Sequence, residues 1–422
     1  MPGAYAALVA SALLGASSAR YEAGGTVQAT YGTDWEAFAP AVGTQLELVP
    51  RLALSFAAKG VALRLNYYPQ ILMSFSAATP TVLHRLALSV ELRPARTVKL
   101  GALINASYGT NNFRAQSVRL PPASGTSSGP APGTSGGTDT PATGSGAGSP
   151  APTTLPPPAP VQSVPLISTV TYLDAGASLG LEIAFSATVG MNTSFSYVAR
   201  GGADAPSRVA VPVQRGPSGS IGIDWRPRKE HRLGTSLSAT YYSFLSEPPA
   251  VLVQDSWTSQ LLEAWEYTYV PHHTLRLGLG VGTSGNAANF ASVVSRQLVP
   301  VAEGSLVLGG ELRLGARYGP SIDFTTGLSA QRVEASIGFA SPLGRAWDLN
   351  ANVVAAEVVT GPQREQFMGT GQVVASFRPV RQLRVFTGLL AIWQRPGPFY
   401  PGATVRQVSL AVGVDFDEVG QL

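Results

Sequence analysis

The residue types that most often do chemistry are few in this chain and stand in poor positions for catalysis. Gly133-Thr134-Ser135-Gly136-Gly137 matches the GxSxG string of a hydrolase nucleophile elbow. Such an elbow needs a strained turn from a strand into a helix. This string sits in a tract of Pro, Gly, Ser, Thr and Ala, so the match is compositional. The four histidines are His84, His231, His272 and His273. His272 and His273 would point to opposite sides of a strand, which makes shared metal ligation awkward. All but His84, which stands near a strand start, fall at expected short turns. Gly278, Gly280 and Gly282 resemble a phosphate loop only out of context, because no helix follows them. With no cysteine in 422 residues, thiol nucleophiles, disulfides and Cys-based zinc sites are excluded. No catalytic residue, metal or cofactor is expected, and the chain reads as a non-enzyme.

Another set of polar residues has a clearer pattern. Arg64, Arg85, Glu91, Arg93, Lys99, Glu182, Arg232, Arg276, Glu311, Arg313, Arg317, Asp348, Arg384 and Asp415 stand on the polar parity of alternating segments, with Glu47, Asn105, Asn350 and Asn352. Val61, Leu63, Leu65 and Tyr67 alternate with Ala62, Arg64, Asn66 and Tyr68. Leu86, Leu88, Val90 and Leu92 interleave with Arg85, Ser89, Glu91 and Arg93, and Leu306, Leu308, Leu312 and Leu314 with Gly309, Glu311, Arg313 and Gly315. Period-2 alternation puts successive side chains on opposite faces of a strand. If the apolar face meets lipid, a charge there would cost roughly 2–4 kcal/mol near midplane, so the charged set is expected to face a lumen. There it can form cross-strand ion pairs that stiffen the wall or guide a solute, and both roles remain open.

The elements that would carry these residues are strands throughout. The composition, 45% hydrophobic and 13% charged, is too apolar for disorder and too poor in charge for an ordinary soluble domain. No run of about 18 apolar residues follows the N-terminus, so spanning helices do not explain that apolarity. Alternation marks strands at 24–32, 40–56, 61–71, 82–93, 97–110, 167–185, 187–200, 217–226, 231–243, 255–269, 274–283, 289–299, 304–318, 326–340, 346–359, 366–378, 382–393 and 405–416. The fold class expected is all-β, a transmembrane antiparallel up-and-down barrel of about 18 strands. Such a closure is wide enough for an aqueous lumen. Proline with a nearby basic residue marks short turns at Arg93-Pro94-Ala95-Arg96, Arg226-Pro227-Arg228-Lys229 and Arg378-Pro379-Val380-Arg381, while longer loops rich in Gly, Pro, Ser and Asn fall between. A soluble β-sandwich also alternates, but its exterior would be rich in charge and 18 strands would need two domains with a visible boundary.

Residues 1–19 are a candidate signal peptide, with an apolar Ala4–Ala16, small residues at Ser17-Ser18-Ala19 and no basic n-region. Residues 20–422 are expected to form one barrel. The tract 121–164, nearly all Pro, Gly, Ser, Thr and Ala, should be a disordered extracellular loop, since it cannot bury enough apolar surface to offset its ordering entropy. The formal charge of +4 is too small and too scattered for a nucleic-acid partner. Aromatics near strand ends, including Tyr31, Trp35, Tyr67, Tyr108, Tyr172, Trp225 and Trp393, suit interfacial girdles.

Through Leu63-Arg64-Leu65-Asn66-Tyr67-Tyr68-Pro69, the Pro-basic turns and the final Val412-Gly413-Val414-Asp415-Phe416, the chain resembles Gram-negative outer-membrane β-barrel proteins. The last strand is similar to their assembly signal, although six residues follow Phe416. The resemblance implies residence in the outer membrane, lipid around the wall and insertion by the barrel-assembly machinery. The strand count and the short-turned periplasmic side also resemble the barrels that accompany polysaccharide-export proteins. That likeness implies a periplasmic export protein as partner and a translocated polysaccharide as cargo. A general porin or solute channel and a structural or adhesive surface barrel are the alternatives.

Overall fold

The computed structural model describes residues 18–34, 44–74, 80–111, 170–245, 255–270, 272–286, 298–309, 311–322, 329–344, 346–361, 364–395 and 405–421. Through them run β1 (Ser18–Asp34), β2 (Gln45–Ala58), β3 (Val61–Tyr67), β4 (Gln70–Ser74), β5 (Thr81–Ala95), β6 (Val98–Asn111), β7 (Val170–Ala184), β8 (Val189–Gly202) and β9 (Val213–Trp225). Then follow β10 (His231–Leu245), β11 (Ser256–Val270), β12 (His273–Asn286), β13 (Val299–Leu308), β14 (Leu312–Ile322), β15 (Ser329–Pro342), β16 (Trp347–Thr360), β17 (Phe367–Val380), β18 (Leu383–Arg395) and β19 (Val405–Gln421). A short helix, α1 (Ala205–Ala210), sits between β8 and β9.

β3 and β4 make a single stave, since both pair with β2 on one side and β5 on the other. The interruption falls at Tyr68-Pro69, where proline has no N–H to give the ladder. Pairing is otherwise between consecutive strands and antiparallel, and β1 pairs with both β2 and β19. The result is a closed, up-and-down barrel of 18 staves. Closure leaves no open sheet edge, which a hydrocarbon environment demands.

Alternation sorts the side chains onto two faces. In β19, Val408, Leu410, Val412, Val414 and Phe416 are exposed, while Gln407, Ser409, Ala411 and Asp415 between them are at most 6% exposed. The exposed apolar row continues around the wall through Leu389, Ile104, Leu179, Ile223, Leu237, Leu279 and Ile337. A stave of about 14 residues rising about 3.3 Å each, tilted by about 45°, spans roughly 33 Å, enough for a hydrocarbon core of about 30 Å. No helix among the described residues is long and apolar enough to cross a membrane. The Pro-basic turns lie together at one end of the barrel, and the longer connections lie at the other.

Several strand boundaries differ from the sequence expectation. The run expected at 304–318 is a hairpin: β13 ends at Leu308 and β14 starts at Leu312, with Gly309 at φ 62° in the turn. Glu311 therefore lies in that turn and not on a strand face, its backbone N–H donating to the Leu308 carbonyl. Of the strand expected at 289–299, residues 289–297 lie outside the described residues, and β13 runs from Val299 to Leu308. The outer strands are longer than expected, beginning at Ser18 and running to Gln421, so Phe416 is not terminal in its strand. Tyr172 is not in an interfacial girdle: it shares the inner parity of Asp174 and is buried. The tract 121–164, Trp35 and most of the candidate signal peptide lie outside the described residues.

Candidate functional site

The candidate site is the inner wall, the face opposite the exposed apolar rows. Cross-strand partners share a face, so the register traces rows of inner residues from stave to stave. Near the short-turn end these rows alternate in charge. Arg232 pairs with Glu266 and Glu266 with Arg276, while Glu303 pairs with Arg317 and Arg317 with Glu334. Lys99 stands opposite Glu182.

Side-chain contacts close this girdle into ion pairs. Arg64 reaches Glu22 at 2.6 Å across the intervening β2, and Arg51 reaches Asp417 at 3.0 Å across β1. Such contacts skip a stave and require a concave inner surface. Arg232 meets Asp224 at 2.7 Å, Arg276 meets Glu303 at 2.9 Å, and Arg378 meets Asp348 at 3.4 Å. Glu91 takes both Arg93 at 2.7 Å and Lys99 at 3.4 Å. At the seam that closes the barrel, Asp415 accepts from Thr26 and Arg384, with Arg51 at 3.8 Å. Glycine makes room for these long side chains: a Cβ on Gly278 would fall 2.6 Å from Glu303 Cγ. Glu303 thus lies flat on the wall, over Gly278, to reach Arg276 on the next strand.

Toward the long-loop end lies a second polar level. Arg85, Ser107, Asp174, Arg200 and Gln214 are successive cross-strand partners on β5 to β9. Arg200 Nε donates to Gln214 Oε1 at 2.9 Å. Arg85 donates to Gln70 at 2.8 Å, and Gln70 donates to Glu47 at 2.9 Å. Glu47, Arg85, Arg200 and Gln214 are buried.

Between the two charged levels the wall is uncharged on β7 to β12. Ser178, Ser196, Ser218, Thr240, Thr258 and Ser284 are partners in one unbroken row across six strands. The adjacent row holds Gly180, Ser194, Ser220, Ser238, Gln260 and Gly282. Ser196 and Ser218 hydroxyls are 2.6 Å apart, and those of Ser194 and Ser220 are 2.7 Å apart. The Ser and Thr side chains of both rows are half-buried. On β17 to β19, by contrast, the inner face carries the buried cluster Val374, Phe386, Leu390, Ile392 and Ala411.

Of the candidate residues named from sequence, Arg64, Glu91, Arg93, Lys99, Glu182, Arg232, Arg276, Arg317, Asp348, Arg384 and Asp415 fall in the charged girdle. Arg317 also donates to Gln260 at 2.8 Å, linking the girdle to the hydroxyl rows. Arg313 is exposed beside its turn, and Arg85 stands apart at the upper level. Sequence reading omitted Glu22, Arg51, Asp174, Arg200, Asp224, Glu303, Arg332 and Glu334. Their parity was available: Asp174 matches Glu182, and Arg200 matches Ser196. Arg51 shares the parity of Glu47 within the expected strand 40–56.

Among the described residues, no cluster of His, Asp and Glu could hold a metal. His84 stands on the outer face, its Nδ1 2.9 Å from the Tyr67 hydroxyl, and His272 turns the chain at φ 74°. At the long-loop end, Asp204 caps α1 by accepting from the Ser207 N–H at 2.8 Å. Hydrogen bonds from Ser207 hold its carboxyl below the usual range.

A search of curated proteins returns no match. Among solved structures, the chain is similar to the copper transporter OprC at 11% identity, covering 95% of this chain and 81% of that one, with a TM-score of 0.46. It is also similar to the outer membrane protein OpdK of Pseudomonas aeruginosa at 10% identity, covering 95% and 99%, with a TM-score of 0.44. The family described as the EpsX exopolysaccharide export family matches residues 13–289. With its apolar exterior and polar interior, the barrel is an outer-membrane channel for polymer or solute. More than half of the sequence lies within the family match, and the chain belongs to the EpsX exopolysaccharide export family.

Proposed function

We propose that this barrel is a non-enzymatic conduit that carries a polysaccharide from the periplasm to the cell surface. The observation that carries the reading is a closure of 18 staves, wide enough for an aqueous lumen, with hydrophilic rows across its inner face. The charged residues are held by partners in the wall, which suits them to shaping a passage more than to attacking a bond. Export family membership supports a polymer over a small solute. The tight-turned rim would receive a periplasmic export protein, and outer-membrane lipid would surround the apolar belt. Insertion would fall to the barrel-assembly machinery.

One observation favours the rival of a structural or adhesive barrel. Inner residues at the long-loop end, such as Val49, Leu83, Arg85 and Arg200, are buried. A deletion strain decides in the cell. Removal of this gene is expected to abolish surface polysaccharide while polymer accumulates in the periplasm, and the wild-type gene should restore export. Unchanged surface polysaccharide would contradict the proposal.

A further inference from the structure

We infer that the cargo is a polysaccharide without fixed charge, sliding on the hydroxyl-lined inner face of β7 to β12; this rests on the translocation reading above. The row Ser178, Ser196, Ser218, Thr240, Thr258 and Ser284 crosses six strands without a charge. A hydroxyl has one donor and two acceptor sites, so the Ser196–Ser218 and Ser194–Ser220 pairs still have capacity for a further partner. Sugar hydroxyls can take that capacity and exchange it from one serine to the next. Each bond is worth little net, which suits a chain that must keep moving. Gly180 in the adjacent row adds no side chain to obstruct it.

Two further observations point the same way. Below this track, the girdle pairs its cations with its own carboxylates, and its rows alternate acid and base. It offers no single-sign ladder to draw in a charged polymer. At the upper border, Gln214 is 5% exposed and Ser256 is 0% exposed. Gln214 Nε2 and Ser256 Oγ have no hydrogen-bond partner among the described residues. Buried groups with spare hydrogen-bonding capacity beside the track are what a hydroxyl-bearing chain would satisfy.

The test uses the full-length protein in a planar bilayer, with glucose hexamers and galacturonate hexamers added in turn. Neutral hexamers are expected to interrupt the current at a frequency insensitive to salt, and galacturonate hexamers no more often. In the variant Ser196→Ala, Ser218→Ala, Thr240→Val, the neutral dwell time should fall about tenfold, as the loss of up to three weak hydrogen bonds allows. Galacturonate blocking more often than glucose, at a frequency falling steeply with salt, would overturn the inference while leaving the channel intact. That comparison needs only the wild type, so it holds even if the variant misfolds. A folded barrel that never conducts would overturn the translocation reading and this inference together.

Discussion

Asp415→Ala is expected to destabilise the barrel by about 3–5 kcal/mol, the usual cost of stranding a buried charge. Asp415 is 5% exposed and accepts from Arg384 on β18 and Thr26 on β1, so its carboxylate ties three staves at the closing seam. Alanine would leave Arg384, 9% exposed, without that carboxylate. The pair itself is worth much less than its breakage suggests, because both ions were desolvated to make it. The double change Asp415→Leu, Arg384→Met should therefore recover most of the loss. Urea unfolding of the refolded protein reads the effect, and a single variant with the wild-type midpoint would contradict this account of the seam.

The second large effect is on the other face. Leu389 is 52% exposed, stands at the middle of β18 and pairs with Leu410 on β19. Leu389→Arg is expected to cost about 2–4 kcal/mol in a bilayer, since the guanidinium would meet hydrocarbon near midplane. Ser238→Arg on the half-buried inner face should stay within about 0.5 kcal/mol of wild type. Folding into lipid vesicles, followed by heat-modifiable migration, separates the two variants. Equal yields would mean that the two faces are not lipid and lumen.

The staves were legible because alternation is a local property. Val61 to Tyr67 and Val408 to Phe416 reveal their two faces without knowledge of any partner, and the stave count follows from summing such segments. The β13–β14 hairpin escaped for a physical reason. Leu306, Leu308, Leu312 and Leu314 keep one parity through the turn, and no proline marks it, so the pattern reads as one continuous strand. That error carried Glu311 onto a strand face. Individual ion pairs were not legible either. Arg64 finds Glu22, and Arg51 finds Asp417, across an intervening stave. Which inner residues meet in this way depends on the stagger of the whole closed sheet, not on any local window. The hydroxyl row was missed because serine and threonine on a polar parity look like filler until the register aligns them.

The most direct test of the central claim is the single-channel conductance of the purified, refolded protein in a planar bilayer. The channel account predicts stable, large steps, from the full chain or from one lacking 121–164. Silence from both, in protein whose heat-modifiable migration proves a folded barrel, would contradict it.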